Sequence, residues 1–471
     1  MSKRIVTLFA LIVAAALLGA LTFWLSRETP EAAAPSAASD PPAYITEGAV
    51  RSIAVRNAEG AFTVYAGEEG PAIAGMEGFP LDTAALSSLL SRLSRLRSEG
   101  LLEEVQSREP FGLDTPRAVL SVELEDGTRR ELLIGSDAPD GRNIYVDAGE
   151  AGTVRLAASY DLRDFLRWDL DFVDKAVSPA LPDSQGEAPL EGIELGGQVR
   201  GKEPVTLVYR EQTGGAILAA SPYRITAPID AGLHNERGMK VLEALFGIQA
   251  EGAAALSPDA AALARYGLDR PYSTARVWGT LGNGLGGFSL RASAPDGEGR
   301  VYLMRDGLDI VFTARAAQLP WLDRGFFDLM ERMIILPHID RVAGVDIARS
   351  GANTVTFALS GEGDELTVTS GGTAVDTAIF RTFYQTLLSA MYDEYHDAPL
   401  PARAAPQAEF VYRYREAGKS PDRVSFYTGT SRRMLVSLNG GRPFFVYTAY
   451  LDKALADCAL VLEGKKVLPY L

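Results

Sequence analysis

A near-constant spacing between three similar segments constrains the fold of this chain more than any other feature of its sequence. Leu81-Asp82-Thr83-Ala84 and Val375-Asp376-Thr377-Ala378 nearly coincide, and Pro228-Ile229-Asp230 resembles both. The three aspartates are 148 and 146 residues apart. Each precedes apolar residues spaced by three and four, which predicts an amphipathic helix with the aspartate as its N-cap. Three copies of one structural unit therefore explain the sequence better than three unrelated helices.

Strand-like segments surround each predicted helix in the same order. Two stretches with period-two alternation come before the helix, and about four more follow it. In the first copy, Asp126-Gly127 is a strong hairpin signal. Strands and helices do not alternate along the chain, which disfavours a parallel α/β fold. The predicted fold class is α+β, with three tandem repeats that each consist of an antiparallel sheet and a helix packed on one face.

A second motif follows the predicted helix in two of the copies. Phe111-Gly112-Leu113-Asp114-Thr115-Pro116 returns as Tyr266-Gly267-Leu268-Asp269-Arg270-Pro271, and Tyr395-His396-Asp397-Ala398-Pro399 is at best a remnant in the third copy. A structural role explains most of the motif: the glycines can adopt a positive φ, the aspartates can accept backbone hydrogen bonds, and the prolines can lead into an edge strand. The alternative is that Asp114 and Asp269 are catalytic residues or metal ligands. One aspartate per copy, without a nearby His, Glu or second Asp, makes a poor site.

This motif lies after a capped leucine-rich helix and before an Asp-Gly hairpin. In that setting it resembles the bacterial domain-of-unknown-function family 4340, over roughly residues 45–325, and strands containing Tyr145 and Tyr302 fit the same family. Members of that family are commonly membrane-anchored and are often encoded beside ABC transporters of the gliding-motility auxiliary type, so the resemblance implies an extracytoplasmic accessory role. It implies no catalytic residue, since the family has no established chemistry.

Residues 1–26 predict a transmembrane signal anchor. Ile5–Trp24 comprises 20 residues without a charge, and as a helix it would span about 30 Å, the thickness of the bilayer core. Lys3 and Arg4 precede it and place the rest of the chain outside the cytoplasm. A cleaved signal peptide is the alternative, but its apolar core would be shorter and a small-residue cleavage site would follow closely. The predicted location is therefore the cell membrane, with a single pass.

The remaining boundaries follow from composition and from the repeats. Residues 27–44, rich in Ala, Pro and Ser, predict a flexible stalk. The repeat units are expected at residues 45–180, at residues 187–330 and, in divergent form, at residues 337–471. The complete prediction is thus an N-terminal transmembrane helix followed by three α+β repeats.

Composition excludes several classes of function. The chain has 46 basic and 61 acidic residues and a net charge of −15, which disfavours nucleic acid as a partner. Cys458 is the single cysteine, so an intrachain disulfide and a Cys-rich metal site are impossible. The histidines, at positions 234, 338 and 396, are far apart in sequence. Residues 282–287 match G-x-G-x-x-G, but a strand pattern follows instead of a helix, which favours a glycine-rich hairpin.

These features predict a non-enzymatic, membrane-anchored extracytoplasmic protein without a cofactor, a metal or a catalytic residue. It would be an accessory or interaction component of an ABC transporter or of another envelope complex, with a permease or auxiliary subunit as its partner. A cell-wall or polysaccharide-binding protein that uses aromatic residues of the third copy is one alternative. A hydrolase with a site assembled between the units is another.

Overall fold

The computed structural model describes residues 44–181, 190–210, 221–279, 286–396, 398–401 and 403–470. Three antiparallel sheets dominate it: sheet 1 has eight strands, and sheets 2 and 3 have nine strands each. The chain divides after Asp174 into two compact units, of which the first contains sheet 1 and the second contains sheets 2 and 3.

The strands of each sheet follow one another along the chain. Sheet 1 consists of β1 (Val50–Asn57), β2 (Gly60–Gly67), β3 (Gly70–Ile73), β4 (Gly100–Leu102), β5 (Ala118–Leu124), β6 (Arg129–Asp137), β7 (Asn143–Asp147) and β8 (Val154–Ala158). Sheet 2 consists of β9 (Gly192–Gly196), β10 (Val205–Tyr209), β11 (Tyr223–Ala227), β12 (Ala231–Gly232), β13 (Gly252–Leu256), β14 (Ser273–Trp278), β15 (Gly287–Ala292), β16 (Arg300–Arg305) and β17 (Ile310–Arg315). Sheet 3 consists of β18 (Val342–Arg349), β19 (Val355–Ser360), β20 (Thr367–Ser370), β21 (Thr373–Val375), β22 (Glu394–Tyr395), β23 (Ala408–Tyr414), β24 (Asp422–Tyr427), β25 (Arg433–Leu438) and β26 (Phe444–Tyr447).

The α-helices of the described residues are few and short. They are α1 (Thr83–Ser94), α2 (Ser159–Leu162), α3 (Asn235–Glu243), α4 (Ala260–Arg265), α5 (Phe326–Leu329), α6 (Thr377–Leu388) and α7 (Thr448–Leu462).

All three sheets share one strand order, except that sheet 1 lacks the outermost strand that β12 and β21 form in sheets 2 and 3. The first strand of each, which is β1, β9 or β18, lies in the middle of its sheet. It pairs on one side with the second strand and on the other with the first strand of a four-stranded meander, so that Val55 lies opposite both Phe62 and Leu120. A short strand that follows α1, α3 or α6 pairs with the last strand of that meander. The outermost strands have only two to five residues, which leaves little edge for pairing with another chain.

A helix covers one face of each sheet, which we call the inner face. In sheet 1, Leu86, Leu89 and Leu93 of α1 are fully buried, as is Ile53 of β1. In sheet 3, Phe380 of α6 packs against Phe357 of β19, with ring centroids 5.1 Å apart. The spacing of three and four along α1 and the alternation along β1 bring these side chains together, and each buried leucine stabilises the fold by roughly 2 kcal/mol.

The predicted fold class is wrong in its balance of secondary structure. We expected a transmembrane helix and α+β repeats of about six strands, whereas the structure has three sheets of eight or nine strands and is only 21% helical. The additional strands have two to five residues and lie at the sheet edges or, like β11 and β20, next to an edge strand, and they are too short to produce a visible alternation. Within the described residues, no helix has the length and apolarity to cross a membrane. Residues 1–26, which carry the transmembrane prediction, lie outside the described residues.

Candidate functional site

The repeated aromatic-Gly-Leu motif forms a turn at the end of α4 in sheet 2. Gly267 has a φ of 68°, a conformation that costs energy for any residue with a Cβ. Its N–H donates to the carbonyl of Ala264 at 3.1 Å, and the N–H of Leu268 donates to the carbonyl of Leu263 at 2.8 Å. These two hydrogen bonds define a Schellman motif, which terminates the helix and turns the chain towards β14.

Sheet 1 contains the same turn after a single 3₁₀ turn, Glu109–Phe111. Gly112 has a φ of 67°. Its N–H donates to the carbonyl of Glu109 at 3.0 Å, and the N–H of Leu113 donates to the carbonyl of Arg108 at 3.3 Å. We call residues 108–116 and 263–271 the outer-face turns, because both lie on the face opposite α1 or α3.

Each outer-face turn lays an aromatic ring and a leucine on its sheet. Phe111 packs against Tyr145 of β7 with ring centroids 4.8 Å apart, and Tyr266 packs against Tyr302 of β16 with centroids 4.6 Å apart. Leu113 and Leu268 are buried. The sheets of the first two copies are therefore covered on both faces near these turns.

One contact, made by equivalent pairs of residues, differs in chemistry between the two turns. In sheet 1, Arg108 forms an ion pair with the buried carboxylate of Asp147 at 2.6 Å, and that carboxylate also accepts the N–H of Gly149 at 2.8 Å. The matching residues of sheet 2 are Leu263, which precedes its glycine by the same four residues, and Met304, which follows Tyr302 as Asp147 follows Tyr145. Both take part in an apolar cluster. The same turn is thus held by charge in sheet 1 and by apolar packing in sheet 2.

The aspartates and prolines of the motif lie at the exposed end of each turn. Asp114 and Asp269 are exposed, and within the described residues neither side chain accepts a hydrogen bond. Pro116 and Pro271 lead into β5 and β14, and the Pro271 carbonyl accepts the N–H of Gln198 at 3.1 Å. Among the described residues, no group of three His, Cys, Asp or Glu side chains could hold a metal ion.

The three aspartates that revealed the repeat differ in what they bind. Asp82 accepts the N–H of Ala85 at 2.9 Å and caps α1. Asp376 caps α6 in the same way, accepting the N–H groups of residues 378 and 379. Asp230 does not cap a helix and instead forms an ion pair with Arg224. Because residues 231–232 form the edge strand β12, α3 begins later, with His234 as its N-cap.

The other sequence candidates take separate structural places. His338 caps a 3₁₀ turn, and the ring of His396 packs against Phe445 at 5.1 Å. Gly287, the last residue of the G-x-G-x-x-G match, is the first residue of β15 and pairs with Trp278 of β14, while residues 282–285 lie outside the described residues. In the third copy, the Tyr395 remnant belongs to β22, and Asp397 lies outside the described residues.

Sheet 3 presents an aromatic outer face. Its register places Tyr427, Leu435 and Phe445 side by side on adjacent strands, with Tyr447 beyond them at the end of β26. We call these four residues the sheet 3 patch. Tyr447 is 51% exposed, and the other three are partly exposed. Residues 396–407, which correspond to the outer-face turns, contain no glycine. Other aromatic residues of this copy are buried on the inner face, among them Tyr412, Phe426 and Phe444.

The two sites that sequence reasoning missed are both pairs of distant residues. Arg108 and Asp147 are 39 residues apart, and the pair Arg237 and Arg332, described below, is 95 residues apart. A residue-by-residue alignment of the first two copies could have found Asp147, because it is a charged residue at a position that is apolar in the second copy.

A protein-family model agrees with the repeated architecture. The model of DUF4340, a domain of unknown function, matches residues 72–254 and again residues 223–408. The chain belongs to the DUF4340 family. The two DUF4340 matches begin 151 residues apart, in β3 and β11, which are equivalent strands of sheets 1 and 2. Neither the curated proteins nor the solved structures contain a match to this chain.

Proposed function

We propose that this DUF4340 protein is a non-enzymatic interaction protein of the cell envelope, attached to the membrane by residues 1–26, with its sheets outside the cytoplasm. Its partner is a permease or auxiliary subunit of an ABC transporter. The apolar run Ile5–Trp24, preceded by Lys3 and Arg4, supports the attachment and the orientation. The transporter partner rests on the resemblance given above.

The observation that carries the proposal is the difference between the outer faces of the sheets. In sheets 1 and 2 an outer-face turn lays its own aromatic residue and leucine on the sheet. In sheet 3 the equivalent face carries Tyr447, half-exposed, beside Phe445 and Leu435. Exposed tyrosines supply much of the binding energy of protein interfaces, because a large rigid ring is buried at little cost in entropy. The sheet 3 patch is therefore the surface through which the partner binds.

Affinity purification tests this directly. The tagged full-length chain is purified from detergent-solubilised membranes, and the proteins recovered with it are identified by mass spectrometry. We expect subunits of an ABC transporter with the wild-type chain and a loss of at least about fivefold with Tyr447→Ser, since truncation of an interface aromatic costs 1 kcal/mol or more. Recovery without any transporter subunit would refute the choice of partner.

Tyr160 provides a matched control. It is the most exposed tyrosine of the first unit, at 67%, and it lies outside sheet 3. Tyr160→Ser removes the same exposed ring and should leave recovery of the partner unchanged. An equal loss in the two variants would show that the sheet 3 patch is not the binding surface.

Membrane attachment has its own test. The full-length chain should stay with the membrane pellet after carbonate extraction, and a chain lacking residues 1–26 should be released. Protease added to intact spheroplasts should degrade the part of the chain that follows residue 44. Protection from the protease would contradict the proposed orientation, whatever the identity of the partner.

A polysaccharide is the second candidate ligand for the same surface. Arg433 lies over the ring of Tyr447 at 5.9 Å and forms ion pairs with Asp393, at 2.9 Å, and with Glu394. An exposed ring bordered by charged hydrogen-bonding groups is chemistry that suits a sugar. Retention of the full-length chain on purified cell-wall material, and its loss in Tyr447→Ser, would favour this candidate over the transporter.

A further inference from the structure

In the part of the chain that the structure describes, Arg237 and Arg332, two arginines of the second unit, lack the ion pairs that Arg92 and Arg413 form. Arg92 and Arg413 form ion pairs with Asp164, at 2.8 Å, and with Asp346, at 3.0 Å. Arg237 and Arg332 are equally half-buried, yet within the described residues their guanidinium groups form no ion pair and no hydrogen bond. The Nε atom of each is buried without a partner, as is that of Arg92, so the difference lies in the terminal nitrogens, which in Arg92 bind Asp164 and in this pair have no acceptor among the described residues. Burying part of a guanidinium group without a hydrogen bond costs free energy, so we expect an acceptor to bind to the pair.

The backbone brings these two arginines together from distant parts of the chain. The segment before α3 runs antiparallel to the end of α5: Leu233 pairs with Met330, and the N–H of Glu331 donates to the carbonyl of Gly232 at 2.8 Å. Arg332 is the next residue after this pairing, and Arg237 lies in the first turn of α3. Burial, together with the neighbouring positive charge of Arg332, lowers the pKa of Arg237.

Arg332 is held in a way that leaves its hydrogen-bonding edge available. Its guanidinium carbon lies 4.4 Å from the ring centroid of Phe327. Stacking of this kind uses the face of the guanidinium and leaves the N–H groups free to bind an acceptor in its plane. Phe327 is itself stacked on Phe444 of sheet 3, with ring centroids 6.4 Å apart. This second contact holds the ring of Phe327, and with it the guanidinium of Arg332, in place.

The carboxylates around the pair are engaged with the backbone. Asp328 accepts the N–H of Gly325 at 3.0 Å, and Glu331 accepts the N–H of Met333 at 3.1 Å. Both favour the charged form of Arg237 through space, while Arg324 opposes it. They therefore moderate the positive charge of the pair without supplying the missing hydrogen bonds.

We propose that Arg237 and Arg332 form a binding site for a phosphate group. A phosphate dianion matches two guanidinium charges and offers enough oxygen atoms for both planar forks, whereas a carboxylate has one charge and two oxygen atoms. The phosphate is either a free ion or a terminal phosphate monoester such as glycerol phosphate, because a phosphodiester, like a carboxylate, has one charge and two free oxygen atoms. The site is independent of the sheet 3 patch and of the transporter partner.

Ligand titration of the full-length chain in detergent tests the proposal. Thermal unfolding is followed with increasing inorganic phosphate, glycerol phosphate or acetate, with chloride keeping the ionic strength constant. We expect saturable stabilisation by inorganic phosphate and clearly weaker stabilisation by acetate. Tighter binding of glycerol phosphate would identify a phosphate monoester as the source, and equal binding would identify the phosphate group alone.

Substitutions then locate the site. Arg237→Gln and Arg332→Gln should each weaken phosphate binding at least about tenfold, since each removes one charged fork. Arg332→Lys keeps the charge and should still weaken binding several-fold, because an ammonium lacks the fork. If a glutamine variant fails to fold, the Arg332→Lys variant still tests the proposal.

Arg305 is the matched control. It is also half-buried, and burial lowers its pKa, but it belongs to β16 and not to the two segments that hold Arg237 and Arg332. Arg305→Gln changes the net charge equally and should leave phosphate affinity unchanged. No saturable effect of phosphate on the wild-type chain, acetate binding as tight as phosphate, or an equal loss in the Arg305→Gln variant would each overturn the proposal.

Discussion

The two outer-face turns provide a matched pair of glycines with which to test their geometry. Gly112 and Gly267 have φ angles of 67° and 68°, so an alanine would meet the same backbone strain in both. A left-handed conformation costs an L-residue roughly 1–2 kcal/mol. The reduced entropy of the unfolded chain offsets about 0.4–1 kcal/mol of this. We therefore expect Gly267→Ala to destabilise sheet 2 by about 1 kcal/mol.

The surroundings of the two glycines differ. A Cβ at Gly267 would lie 3.5 Å from the Cβ of Ser293, an ordinary contact. A Cβ at Gly112 would lie 3.0 Å from the backbone nitrogen of Ser136, within β6, and 3.3 Å from its Cβ. Moving a paired strand to relieve such a contact costs about 1–3 kcal/mol. Gly112→Ala should therefore destabilise sheet 1 by about 2–4 kcal/mol.

Hydrogen exchange measured by mass spectrometry is the appropriate assay, because it reports the opening free energy of each sheet separately in a chain that need not unfold in one step. Gly127→Ala is the control: Gly127 has a φ of 85°, and a Cβ at this position would have no other atom within 4 Å, so its loss should resemble that of Gly267→Ala. Equal losses at Gly112 and Gly267, or a larger loss at Gly267, would refute the reasoning from clearance.

Three further predictions concern single sites. Asp147→Ala should destabilise sheet 1 by about 1–2 kcal/mol in hydrogen exchange, because it removes the ion pair with the half-exposed Arg108 and the acceptor of the Gly149 N–H; the double variant Arg108→Leu, Asp147→Met, which copies sheet 2, should return to within about 0.5 kcal/mol of the wild type, and no recovery would contradict the equivalence of the turns. Asp376→Ala should cost about 1 kcal/mol as a lost cap and Asp230→Ala less than about 0.5 kcal/mol as an exposed ion pair, so the reverse order would be inconsistent with the observed caps. Burial raises the pKa of Cys458 to about 11, so at pH 8 its thiolate is scarce and maleimide should label it about a hundredfold more slowly than in the urea-unfolded chain; similar labelling rates would show that the thiol is accessible.

Much of the local structure could be predicted because it depends on neighbouring residues. The leucines of α1 recur at helical spacing, and β1 alternates between apolar and polar residues, so the sequence alone indicates which side chains face the core. Gly112 and Gly267 adopt the positive φ expected of them, because a Schellman turn requires a residue without a Cβ within a few positions of the helix end.

Errors arose where a second segment competes for the same residues. Asp230 has the composition of an N-cap, but the residues after it pair with β11 and delay the helix until His234. The α+β prediction underestimated the sheets for the same reason, since β12 and β22 have two residues each and exist only because a longer strand lies beside them. Strands of that length carry no periodic signal of their own.

The repetition of one unit, the helices α1 and α6 and the turns at Gly112 and Gly267 could be inferred from the sequence alone, because periodicity and turn signals depend on residues close together along the chain. Which charges lie close together depends on the tertiary structure. The ion pair of Arg108 with Asp147 and the unpaired neighbours Arg237 and Arg332 depend on strand register and on the antiparallel pairing of distant segments. Electrostatic and packing energies depend on distance in space, and a single sequence records only distance along the chain.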